Sequence, residues 1–114
     1  SYEKALQVAP KNAAIWSATG TLLDALGRYP DAIRAFDTAI DLSNGDIHAW
    51  LCKGIAFDRL GRHDRAIACF DNVLEAAPDY AWAWYLRGRA FDRQGKFADA
   101  AECFGKALES GDLP

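Results

Sequence analysis

Residues 50–79, WLCKGIAFDRLGRHDRAIACFDNVLEAAPD, decide the fold. Trp50, Gly54 and Phe57 fall at i, i+4 and i+7, which is one face of a helix with 3.6 residues per turn. Gly61 then supplies the left-handed residue that ends such a helix. Ala66, Phe70, Val73 and Leu74 mark one face of a second helix, and Pro78, which has no N–H to donate, stops it. The stretch predicts two antiparallel helices joined by a short turn.

Working outward, the same layout recurs without a gap over 16–45 and 84–113, with the tryptophans 34 residues apart. Gly20, Gly54 and Gly88 align, as do Leu23, Phe57 and Phe91, and Gly27, Gly61 and Gly95. So do Ala32, Ala66 and Ala100, and Phe36, Phe70 and Phe104. Tyr2, Ala5, Leu6 and Pro10 share the phase of Phe36, Ala39, Ile40 and Asn44, so the chain is expected to begin inside a repeat. A lone helix hairpin cannot bury its apolar face, whereas stacked hairpins bury a continuous core. The expected fold is therefore all-α, an α-solenoid of antiparallel helix-turn-helix repeats. The phase divides it into a second helix of a truncated repeat (1–12) and three repeats, 13–46, 47–80 and 81–114. Asn12, Asp46 and Asp79 lie just before each first helix, where a short polar side chain satisfies free backbone N–H groups.

A glycine inside a helix costs roughly 1 kcal/mol relative to alanine, so Gly20, Gly54 and Gly88 need a reason. They lie on the tryptophan face. There the missing side chain is expected to seat Phe36, Phe70 and Phe104 of the partner helix, with Ala32, Ala66 and Ala100 as the matching small residues.

The pattern W-x-x-x-G-x-x-F, a turn glycine, A-x-x-x-F-x-x-A and a terminal proline at this period resembles the tetratricopeptide repeat family over essentially the whole chain. The resemblance implies a right-handed superhelix whose concave face is lined by first helices and binds other proteins or peptides. It implies a scaffold, not an enzyme. One departure stands out: where the family usually has leucine just before the helix glycine, this chain has Thr19, Lys53 and Arg87. Long basic stems are expected to lie over apolar surface with the charge in water.

Composition agrees with a folded domain that needs neither metal nor disulfide. About half of the 114 residues are apolar and a quarter charged. Thirteen Lys plus Arg against sixteen Asp plus Glu leave a net charge of −3, which argues against a nucleic-acid backbone as partner. No apolar run approaches the ~20 residues of a membrane span, and Ser1 to Pro10 lack a signal-peptide layout, so a soluble protein is expected. Cys52, Cys69 and Cys103 are odd in number and well separated, which fits a reducing compartment and a cytoplasmic location.

Function must then be read from the stripe of each first helix that does not face its own second helix. Residues two apart on a helix point about 200° from one another, so Trp82 and Trp84 cannot enter the same layer. If Trp84 is the core residue, Trp82 points elsewhere, with Tyr85 and Arg89 beside it. The equivalent stripes are His48, Leu51, Cys52 and Ile55 in the repeat before, and Ala14, Ser17, Ala18 and Thr21 in the first. The stripe grows larger and more aromatic along the array. Two roles stand open. Either Leu51, Ile55, Trp82 and Tyr85 form an apolar landing surface for a peptide or helix, with Arg89 and Arg93 for a carboxylate or carbonyls, or these side chains fill the seam between first helices. Trp and Tyr dominate binding hot spots, which favours the first role. The lysine, asparagine and arginine set with which some family members grip a C-terminal carboxylate has no counterpart here, since the corresponding positions carry Ser17, Thr21, Cys52, Trp82 and Leu86.

Asp24, Asp58 and Asp92 recur near the ends of the first helices and are expected to be solvated. His48 and Cys52 sit four apart on one face, half of a zinc site with no second ligand pair, so groove lining is the expectation and no metal or cofactor is implied. His63 stands where Tyr29 and Phe97 stand, which packing explains. No phosphate loop, nucleophile elbow or recurring carboxylate pair is present. Finally, Ala101 and Leu108 match Ile33 and Ile40, which a following repeat buries. The expectation is that the protein continues beyond them or that copies dock end to end, a homo-oligomer through uncapped ends.

Overall fold

The computed structural model of the chain describes residues 12–43 and 46–110. These form six α-helices and, among the described residues, no strand: α1 (Ala13–Ala25), α2 (Tyr29–Leu42), α3 (Ile47–Arg59), α4 (His63–Ala76), α5 (Ala81–Arg93) and α6 (Phe97–Ser110). The first helices α1, α3 and α5 start at 13, 47 and 81, and the second helices α2, α4 and α6 at 29, 63 and 97. Each helix packs on the next in chain order, with a lighter contact between successive first helices. The result is an α-solenoid, 46 × 25 × 22 Å. The expected second helix over 1–12 falls almost wholly outside the described residues.

Each hairpin is fixed by the same local chemistry. The turn glycines Gly27, Gly61 and Gly95 have φ of 80°, 81° and 77°, a region that side chains with a Cβ rarely adopt. At each turn two backbone N–H groups fold back onto the last carbonyls of the first helix. At the second turn Gly61 N–H donates to Asp58 O at 3.0 Å and Arg62 N–H to Phe57 O at 2.9 Å. These bonds satisfy carbonyls that the helix itself leaves open. At the other ends, Asn12 Oδ1 accepts from Ala14 N–H at 3.0 Å, and Asp46 Oδ1 from Ala49 N–H at 3.2 Å. The third first helix departs from expectation. Its cap is Tyr80, which makes no side-chain cap bond, and Asp79 lies one residue too early.

The core runs along the array as repeated layers. An ideal Cβ built on Gly20, Gly54 or Gly88 would lie 2.5, 2.6 or 2.7 Å from the ring of Phe36, Phe70 or Phe104, so each glycine is the seat of one ring. Phe36 and Phe70 are fully buried, as are Ala32 and Ala66. Sealing one such ring contributes about 2–3 kcal/mol, more than the glycine costs its helix.

Lys53 and Arg87 do lie over aromatic faces. Lys53 Nζ stands 4.9 Å from the Trp50 ring centre, and the Arg87 guanidinium 5.0 Å from that of Phe91. Their heads are not simply in water, because Lys53 pairs with Asp37 and Arg87 with Asp71 on the preceding second helix. Thr19 is too short to reach in this way. It turns its hydroxyl onto Ile15 O at 2.8 Å, and the furrow above it, some 330 Å³ lined by Leu23, Asp31 and Thr38 among others, is open.

Candidate functional site: the free face of the first helices

Three of the eight expected binding residues converge on α5. Trp82 and Tyr85, one turn apart, stack with ring centres 5.3 Å apart and planes 21° from parallel. Tyr85 also touches Phe104 of α6 at 5.8 Å, and the Arg89 guanidinium lies 5.8 Å above the Tyr85 ring. All three are half-buried. The α5 backbone sets this order, since i, i+3 and i+7 share one face. The second helix then supplies the floor.

Arg89 differs from its neighbours in partnership. Of the arginines on the first helices, Arg59 pairs with Asp24, Arg87 with Asp71 and Arg93 with Asp58, while Arg89 has no carboxylate among the described residues. A guanidinium lying over an aromatic ring and lacking a counter-ion among the described residues keeps its planar donor fork for an acceptor from elsewhere.

The other expected residues divide. Leu51 is 5% exposed and belongs to the cluster that joins Phe70, Leu74 and Leu86. It fills the seam and offers a ligand nothing. Ile55 is half-buried against that same cluster. His48 is exposed and Cys52 half-buried, with Cys52 Sγ 3.5 Å from His48 Nε2. Burial, helped by the charges of Asp24 and Asp46, pushes the Cys52 thiol up to about 11. Among the described residues no third His, Cys, Asp or Glu joins the pair. A thiol so raised reacts slowly, so alkylation of Cys52 by iodoacetamide at pH 7.5 should run on the order of tenfold or more behind that of an unstructured cysteine peptide. Equal rates, read by mass spectrometry, would contradict that environment.

Arg93 needs a correction. It is not held ready for a ligand, because it reaches back across the repeat junction to Asp58 Oδ2. The opposite oxygen, Asp58 Oδ1, lies 2.6 Å from His63 Nδ1. Arg59 makes the matching reach to Asp24. Asp24 and Asp58 are thus rungs between repeats and not solvated helix ends, each meeting an arginine 35 positions on, one repeat plus one residue, while Asp92 is exposed. Sequence reasoning saw the acids and the arginines but did not pair them.

No helix of the described residues is long and apolar enough to cross a membrane. No curated protein matches the chain in sequence. Among solved structures, it is similar to a crystal structure of MamA, at 25% identity and a TM-score of 0.90, covering 96% of this chain and 64% of that one. It is also similar to MamA from Desulfovibrio magneticus RS-1, at 25% identity and a TM-score of 0.85, covering 96% and 62%. The Sgt2 TPR domain from Aspergillus fumigatus, at 20% identity and a TM-score of 0.82 over 87% of this chain and 66% of that one, shares the fold. The chain therefore spans less than two thirds of the length of these two MamA structures. Its sequence matches the tetratricopeptide repeat over residues 1–47 and 53–113. With six helices in step with the 34-residue pattern and a sequence match over nearly its whole length, the chain belongs to the tetratricopeptide repeat family.

Proposed function

We propose that this array is a scaffold that holds a peptide or helix of another protein in the groove formed by its first helices, against Trp82, Tyr85 and Arg89. Arrays of this family generally mediate protein–protein contacts and are typically non-enzymatic. One observation supports this particular face: a stacked Trp–Tyr pair next to an arginine without a counter-ion among the described residues, on a helix whose other arginines are all paired. The ligand this favours is apolar where it meets the rings and brings a carboxylate or backbone carbonyls to Arg89. Ile55, Cys52 and His48 extend the surface one repeat back, whereas Leu51 and Arg93 serve the array itself.

The test is a peptide selected by display against the intact chain. Trp82→Ala should weaken its binding by about 2 kcal/mol, with helical circular dichroism unchanged, because half-buried tryptophans of this kind carry much of an interface's energy. Unaltered affinity would reject the face. Arg89→Ala should cost more for ligands with an acidic group than for their amide counterparts.

A further inference from the structure

The two ends of the groove are electrostatic opposites. At the α5 end Arg89 has no carboxylate among the described residues. At the α1 end the open groups are acceptors. Ser17, Thr21 and Asp24 fall at i, i+4 and i+7 and so share one face of α1. Ser17 is 7% exposed and its Oγ has no hydrogen-bond partner among the described residues, nor has the buried Asp24 Oδ1. A difference between repeats explains the second orphan. Asp58 Oδ1 meets His63 Nδ1, but Tyr29 stands in that place in the first hairpin, so Asp24 keeps only Arg59, on Oδ2. Facing α1 from α3, Cys52 senses the same field, because Asp24 and Asp46 add to burial in raising its thiol. Two carboxylates against one guanidinium leave this end negative.

Thr21, Ile55 and Arg89 hold one place in three successive first helices, 34 residues apart. A chain crossing the groove along this row meets an acceptor end, an apolar step and a free guanidinium. Packed helices lie about 8–10 Å apart, so the ligand must present a side chain on one side every 9 Å or so. A polyproline II chain does this with every third residue, since three residues rise about 9 Å and complete one turn. Three residues of β-strand rise nearly as far but point the outer two to opposite faces. Six residues of α-helix rise about 9 Å but end about 240° round.

We infer that the groove takes a polyproline II segment of a partner protein with a basic, an apolar and an acidic residue at every third position, the basic one at Thr21 and Asp24, the apolar one on Ile55 and the acidic one on Arg89. This rests on the aromatic-face reading and adds a conformation, a spacing and a charge order to it. The Trp82–Tyr85 pair suits such a chain, because aromatic-lined grooves are what polyproline II ligands dock against.

The probe is fluorescein-labelled Lys-Pro-Pro-Leu-Pro-Pro-Glu, titrated into the intact chain beside its reversed sequence, the tighter of the two being carried forward. Saturable binding is expected. Deleting one proline between lysine and leucine, which turns the lysine away by a third of a turn, should weaken it about tenfold. Norleucine in place of lysine should also cost about tenfold, as for a close charge pair, and should cost nothing against the Thr21→Lys variant. Thr21 is exposed, so that variant should keep the parent's circular dichroism. Binding that Trp82→Ala weakens but that ignores both spacing and lysine overturns this inference and leaves the aromatic face standing. So does the absence of saturation at millimolar peptide, while the display-selected peptide still responds to Trp82→Ala. Binding of the probe that Trp82→Ala leaves unchanged rejects the face and this inference with it.

Discussion

Phe70→Ala should destabilise the array by about 3–5 kcal/mol, the range for deleting a buried aromatic ring, read as a fall in the urea midpoint. The ring is 1% exposed, seated on Gly54 and surrounded by Ala66, Val73 and Leu74, so the space it leaves cannot fill with water. A chain of this size has a total stability on the order of 5–15 kcal/mol, and the central repeat holds both of its neighbours. Loss of this one ring therefore brings the array close to unfolding. Adding volume from the opposite side tests the same joint. A Cβ at Gly54 would stand 2.6 Å from the Phe70 ring, and that ring has no solvent to retreat into. Alanine's helix preference is worth about 1 kcal/mol over glycine, but overpacking costs about 1–3 kcal/mol, so Gly54→Ala should be neutral to destabilising in the parent. In the Phe70→Ala background the clash is gone and the same change should stabilise. A coupling above about 1 kcal/mol is expected from this cycle, and additive effects would show that glycine and ring are not partners.

The next largest effect is expected at Asp58. Its carboxylate is 8% exposed and serves two groups, Arg93 from the next repeat and His63 from its own second helix. Deleting one member of a fully buried pair costs about 3–5 kcal/mol, but the Arg93 side chain is 41% exposed and regains water. Asp58→Ala should therefore cost about 1–3 kcal/mol, the range for leaving partly buried polar groups unpaired. Position along the array supplies the control. Asp24 serves Arg59 alone, so Asp24→Ala should cost less, and exposed Asp92, with no cation partner among the described residues, should be replaceable within about 0.5 kcal/mol. The order 58, 24, 92 in urea denaturation is the checkable result. A flat series would mean that the rungs do not hold repeats together.

Which of these features can be read from sequence follows from how far apart the partners sit. The glycine seats and turn glycines were legible because each is set within one hairpin, where the helical period alone brings Gly54 opposite Phe70. The rungs were not, because Asp58 and Arg93 meet only through the tilt between neighbouring repeats, and no spacing on a single helix reveals that tilt. Leu51 shows a similar limit. It aligns with Ser17 and Tyr85, three side chains of different size, and the sequence does not say which of them the neighbouring repeat covers; Ser17 and Leu51 are buried and Tyr85 is not. At Asp79 two signals disagreed. A capping carboxylate is chemically apt, but strict phase from Asn12 and Asp46 points to residue 80, and phase decided. On the aromatic face, the stripe of Trp82, Tyr85 and Arg89 followed from helical geometry, while the absence of a counter-ion beside Arg89 among the described residues needed its neighbours' positions.

Because every arginine rung reaches back by one unit plus one residue, the junction between any two hairpins is written in the same grammar. Arg93 asks of the unit before it only an aspartate in the place of Asp58, and Asp24 stands in that place one hairpin earlier. A whole unit is thus a cassette. Insertion or excision by 34 residues keeps acid facing base across the splice, whereas a cut of any other length sets the charges out of step, so genetic change in the length of such an array is steered toward integer numbers of hairpins.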